Sequence, residues 1–164
     1  MISKRMVEAL NGQVNAEIYS SYLYLSMSDY FESVSLKGFA KWMKIQAKEE
    51  LTHAEKFREH VIDRMGRSRL AAVKEPPFEW RSPADAVKAA LDHERKVTVL
   101  INGLVALAAS EKDNAAFNLL QWFVAEQVEE EKNVDEILNR LKVAGSDGPG
   151  LLLIDSELGR RGTS

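Results

Sequence analysis

Glu17, Glu50, His53, Glu94, Gln127 and Glu130 are the residues of this chain whose types and spacing point to chemistry. Glu50 and His53 stand at i and i+3, as do Gln127 and Glu130, so each pair projects from one face of a helix. All six interrupt apolar stripes of helical period: Glu17 follows Val14, Glu50 and His53 fall between Met43 and Phe57, Glu94 between Leu91 and Val97, Gln127 and Glu130 between Val124 and Val134. Carboxylates in an apolar interior are costly and repel one another when clustered, so a partner charge is needed. The stripes offer no Lys or Arg beside these positions, which leaves a cation from outside. The four glutamates sum to −4, the charge that two divalent ions cancel. Oxygen-dominated ligation with one imidazole suits iron or manganese better than zinc or calcium.

A single interval ties the two halves together. Glu17 and Glu94, Glu50 and Gln127, His53 and Glu130, and Glu49 and Glu126 are each 77 residues apart. Matching ligand sets in one register are what an approximate two-fold repeat about a bundle axis produces. Taken singly the residues have bland readings. A lone buried glutamate is commonly salt-bridged, Glu-x-x-His is frequent on exposed helices, and Glu126, Glu129, Glu130 and Glu131 resemble a solvated acidic face. The specificity lies in the joint pattern. Tyr24, two turns beyond Glu17, is placed to hydrogen-bond a ligand carboxylate. His93 is expected at the surface, about 100° around its helix from Glu94. His60 has no obvious carboxylate partner, and Trp42, Trp122 and Phe123 read as core or subunit-interface packing.

Proline and glycine placement indicates the elements that must position these groups. All prolines are Pro76, Pro77, Pro83 and Pro149, leaving two long proline-free stretches, each broken near its middle by a turn. Helices are predicted over about 4–33, 38–65, 83–111 and 114–144, with a short fifth over about 150–159. Val7, Leu10, Val14, Ile18 and Leu25 mark the apolar stripe of the first, Gly38 opens the second and Gly66 follows its end. Ser82-Pro83 caps the third, and Asp113 or Asn114 the fourth. The link over 66–83 is long enough to run the length of the bundle, whereas its neighbours are short. Short, long, short is the connection pattern of an all-α four-helix bundle with one crossover.

Composition narrows the function. A chain of 164 residues with 45% hydrophobic content supports one core and is read as a single domain. The absence of cysteine excludes disulfide scaffolds, thiolate iron sites and cysteine nucleophiles. A net charge of −3 argues against a nucleic-acid partner, and no apolar run suggests a membrane span or signal peptide, so a cytoplasmic setting is expected.

With the strings NAEIYSSYLYLSM and LQWFVAEQVEEE around Glu17 and Gln127, these residues resemble the prokaryotic non-haem ferritins over essentially the whole chain. The resemblance implies a ferritin-like bundle, assembled as one of usually twenty-four copies into a hollow shell. It implies ferroxidase activity: Fe(II) is oxidised by dioxygen or peroxide at a di-iron centre and stored as ferric oxyhydroxide. Carried over, Glu17, Glu50 and His53 hold the first iron. Glu50 bridges to a second held by Glu94 and Glu130, with Gln127 nearby, and Glu49, Glu126, Glu129 and Glu130 form a third, weaker iron site. Tyr24 and Trp122 match aromatic residues beside the pair. Haem is not expected, because Thr52 stands where haem-binding relatives have a ligating methionine. The resemblance leaves open whether a reductase or ferredoxin is the partner for iron release. Two other classes stay open at this level: a metal-dependent oxidase of an organic substrate, and a shell subunit without catalysis.

Overall fold

The computed structural model describes residues 1–145 and 148–161, and among them every regular element is helical. The helices are α1 (Lys4–Ser33), α2 (Lys37–Asp63), α3 (Pro83–Glu111), α4 (Asn114–Ala144) and α5 (Gly148–Leu158). Against the predicted bounds, α2 begins one residue earlier and ends two sooner, and α5 is shifted one to two residues toward the N-terminus. Three starts are capped as their residue types suggest. Ser3 accepts from the Met6 amide, Ser82 from Asp85 ahead of Pro83 at the first helical position, and Asp113 from Ala116.

Gly66 follows the end of α2 as expected; the residue that turns left-handed there is Met65 (φ 61°), and the Gly66 amide then donates to Val61 O at 2.8 Å. Ser35 (φ 62°) and Lys112 (φ 54°) close α1 and α3 with the same pair of backbone hydrogen bonds, and α4 ends on Gly145 (φ 61°).

α1 packs mainly on α2 and α3 on α4, with α1 also against α3. The crossover between α2 and α3 is fastened along α1. Asn11 donates to Arg67 O and accepts from the Arg69 amide, Asn15 donates to Ala72 O, Ser26 donates to Pro77 O, and Trp80 meets Tyr30 edge-on. Residues 11 to 30 of a helix span about 28 Å, so the link runs most of the bundle's length.

The apolar core is two clusters. One holds Tyr24, Met27, Phe31, Phe39, Met43, Leu91, Val134 and Leu141; the other holds Met6, Leu10, Val14, Phe57, Val61, Ile101, Leu120 and Phe123. Between them each long helix contributes buried polar residues: Glu17 and Ser20, Gln46, Glu50 and His53, Glu94, and Gln127 with Glu130. On α1 the stripe is rotated by about one position from the predicted one. Val7 and Ile18 are only partly buried and Leu25 is 41% exposed, while Met6, Leu23, Met27 and Phe31 face inward.

α5 docks on α2 and α4 through Ile154 and Leu158. Asp155 Oδ1 accepts from the Phe39 amide at 2.9 Å, supplying the cap that α2's own N-cap residue, Leu36, lacks. Gly38 therefore has a different role from the expected helix opener: a Cβ there would stand 1.6 Å from Asp155 O, so only glycine lets the two backbones meet. Gly38→Ala is accordingly expected to push α5 off the bundle. Limited proteolysis should cut the C-terminal helix faster than in wild type, and equal rates would contradict this account of Gly38.

Candidate metal centre

The four long helices bring their polar residues to one level because each carries them near mid-length and adjacent helices are antiparallel. Glu17 and Glu94 are each 1% exposed, Glu50 3%, His53 5%, Gln127 5% and Glu130 8%. Glu17, Glu50 and His53 each offer a ligand atom within 4.8 Å of the others. His53 Nδ1 lies 3.1 Å from Glu50 Oε2. On the opposite side Tyr24 donates a hydrogen bond to Glu94 Oε1, and Gln127 Nε2 lies 3.1 Å from Glu94 Oε2. Gln13 Nε2 donates to Glu17 Oε1 and Gln46 Nε2 to Glu130 Oε2, both at 2.7 Å. The partners named for these four carboxylates are amides, a phenol and an imidazole; none is a lysine or arginine.

Charge compensation is correspondingly incomplete. Burial, with Glu50 adding repulsion, raises Glu17 from 4.5 to about 8. Burial and the neighbouring Glu94 raise Glu130 to about 7, against the pull of Gln46. Glu50 is pushed well above the usual carboxylate range by burial and by Glu94 and Glu130. Glu94 also rises through burial, moderated by the Tyr24 and Gln127 hydrogen bonds. The most telling atom is Glu17 Oε2, which is buried and has no hydrogen-bond partner. A carboxylate oxygen left bare in the interior, beside a second carboxylate and an imidazole, has the donor set and the unmet demand of a cation ligand.

A pocket of about 250 Å³ opens beside this centre, lined by Glu49, Glu126, Glu129 and Glu130 together with His53, Trp122 and Arg161. Here the predicted outer acidic residues do come together. Glu49 and Glu126 are half-buried and Glu129 is exposed. His53 Nε2 is 3.9 Å from Glu126 Oε2, and the ring of Trp122 meets His53 edge-on at 5.5 Å. Thr52 is exposed, and its hydroxyl bonds the Glu49 carbonyl.

His93 is not the surface residue expected from its angle to Glu94. Its Nε2 lies 2.8 Å from Ser20 Oγ, and its ring packs against Tyr19 and Tyr24. Burial, reinforced by Lys96, lowers it to about 4, so it is neutral. The cause is the α1–α3 contact, which covers a wider arc of α3 than its apolar stripe. Gln13 and Gln46 were not singled out by sequence reasoning, yet each sits four residues before a glutamate of the centre, on the same stripe. Arg161 has no such signal, because only α5 docking brings it near.

The fold and this centre together define a class, and comparison with known proteins agrees. A family model described as "Ferritin-like domain" matches residues 7–144. A bacterial non-heme ferritin of Bacteroides fragilis is 43% identical over 161 residues, covering 98% of this chain and all of its own length. One of Escherichia coli is 37% identical, covering 96% of each chain. A crystal structure described as an open-pore ferritin of the hyperthermophilic archaeon Archaeoglobus fulgidus superposes with a TM-score of 0.97 at 53% identity, covering 98% of this chain and 99% of that one. The chain belongs to the ferritin family.

The raised carboxyl groups make the metal-free fold sensitive to pH in a definite direction. Between about 4.5 and about 8 the folded chain holds a proton on Glu17 that the unfolded chain has lost, so this group lowers stability progressively as pH rises through that window. Glu17→Gln removes the effect. The thermal midpoint of metal-free Glu17→Gln relative to wild type should therefore climb as pH rises from about 5 to about 8, and a flat or falling difference would contradict the assignment.

Proposed function

We propose that this iron-storage ferritin chain is a working ferroxidase, with Glu17, Glu50, His53, Glu94 and Glu130 holding two ferrous ions at the bundle centre. The observation that carries this reading is the convergence of four buried glutamates, among the described residues without a lysine or arginine partner, one of them with a bare oxygen. Iron is substrate and cargo: two Fe(II) ions side by side supply two electrons to dioxygen or peroxide. Glu50, whose carboxyl feels Glu17, Glu94 and Glu130 alike, is the group that the two ions would share. Tyr24 and Gln127 orient Glu94, Gln13 orients Glu17, and Gln46 orients Glu130. Gln127 turns its amide nitrogen toward Glu94, so in this arrangement it steadies a ligand.

Glu49, Glu126 and Glu129, with Glu130 shared, form the outer iron site and the path by which oxidised iron leaves. A centre rich in carboxylate and poor in imidazole holds its metal less permanently than one with a histidine in each half. The centre is in this reading a turnover gate whose product accumulates as ferric oxyhydroxide in a hollow homo-oligomeric shell of twenty-four copies, later mobilised by a reductant. No helix among the described residues is long and apolar enough to cross a membrane.

Two experiments test the assignment. Fe(II) added to the metal-free assembly should be oxidised rapidly in air and loaded beyond the few ions its sites hold. Glu50→Ala should lose most of that rate while eluting at the wild-type size on gel filtration. Saturation at two ions per subunit would point instead to a fixed di-iron cofactor. In Glu129→Ala the first ions should oxidise normally and later turnover should change; a wild-type progress curve would remove Glu129 from the outer site.

A further inference from the structure

The outer pocket already holds a cation of the protein's own. Arg161, three residues beyond the end of α5, places its Nη2 at 3.0 and 3.3 Å from the two carboxylate oxygens of Glu49, and its Nη1 at 3.1 Å from Gln46 Oε1. Gln46 is thereby held in one orientation. A guanidinium can only donate and the Glu130 carboxylate accepts, so the amide oxygen faces Arg161 and the amide nitrogen faces Glu130. This puts Arg161 in direct contact with one residue of the outer site and one hydrogen-bonded residue away from another. The position is firmly built. Asp155 caps α2, Lys41 donates to Gly159 O at 2.9 Å, and Ile154 and Leu158 are buried. The lysine lining the pocket, Lys56, lies over the Trp122 ring at 4.6 Å.

We infer that Arg161 is a resident competitor for the outer site, holding Glu49 until an arriving metal ion displaces its guanidinium. The inference rests on the outer-site reading above. Both oxygens of Glu49 face the guanidinium, so a metal ion approaching that carboxylate meets a positive charge already set against it and gains less from binding there. Guanidinium stays charged at every working pH, so the competition does not switch off. Its strength is that of a half-exposed ion pair, since the two side chains are 33% and 42% exposed. The effect on metal affinity is therefore modest, about three- to fivefold. Arg161 is thus a positioning residue that keeps the outer site weaker than the buried pair and so favours onward passage of the ion.

The test is Zn²⁺ binding to the assembled, iron-free protein by isothermal titration calorimetry, because zinc is redox-inert and the readout is independent of oxidation. Arg161→Met removes the charge at similar length and leaves the α5 contacts in place. It should tighten the weakest class of sites about three- to fivefold and leave the tighter classes unchanged. Arg161→Lys should stay near wild type. In a Glu49→Gln background Arg161→Met should have no effect, a result that a general loosening of α5 would not give. A weak class present in wild type but unchanged or weakened by Arg161→Met overturns the inference alone. A weak class missing from both proteins overturns the outer-site reading and the inference with it.

Discussion

Four carboxyl groups buried at one level of an apolar bundle are the constraint on which the rest of the structure depends. Each would be stable in water. Together in the interior they repel one another and lose hydration, and Glu17, Glu50, Glu94 and Glu130 all answer by holding protons more tightly. The surrounding polar groups are arranged to aim these carboxylates and do not cancel them. Gln13, Gln46, Gln127 and Tyr24 each spend a donor on one oxygen, and Glu17 Oε2 receives none. The fold thus retains an electrostatic deficit of the kind that a metal ion can fill.

Long helices, an extended crossover and a docked fifth helix are the means of holding that deficit in place. The crossover lets the second hairpin present its buried polar residues at the same level as the first, and the asparagine contacts along α1 fix its course. α5 closes one end by capping α2 and continues to the outer pocket through Arg161. Buried centre and outer pocket therefore differ in kind. The first is a set of carboxylates without a fixed cation among the described residues, the second a set with one supplied by the chain.

Much of this was legible in the residues. The placement of Pro76, Pro77 and Pro83 and the helical stripes gave the four long helices to within two residues, because a proline-free run of that length with a 3.6 period has few other solutions. The ligand candidates were legible because charged residues on an apolar stripe break the local rule, and a shared interval of 77 residues is hard to produce otherwise. What stayed hidden depends on contacts between segments far apart in the chain. Gly38 reads as a helix opener until Asp155 is seen against it, His93 reads as surface until α1 covers it, and Arg161 reads as tail. The rotated stripe on α1 has a related cause. Ile18 and Leu25 share one flank, but the buried line runs through Glu17 and Tyr24, and polar residues on that line made it look like the wrong one.

The division of the core into two apolar clusters has a mechanical consequence. Hydrophobic contact ties each end of the bundle to itself, while the layer between is joined by a few directional bonds to oxygen. On the proposed reading, an ion held in that layer would be a rivet as well as a passenger, fastening four helices at the level between the two apolar clusters. Carrying the cargo and bracing the middle of the bundle would then be one act.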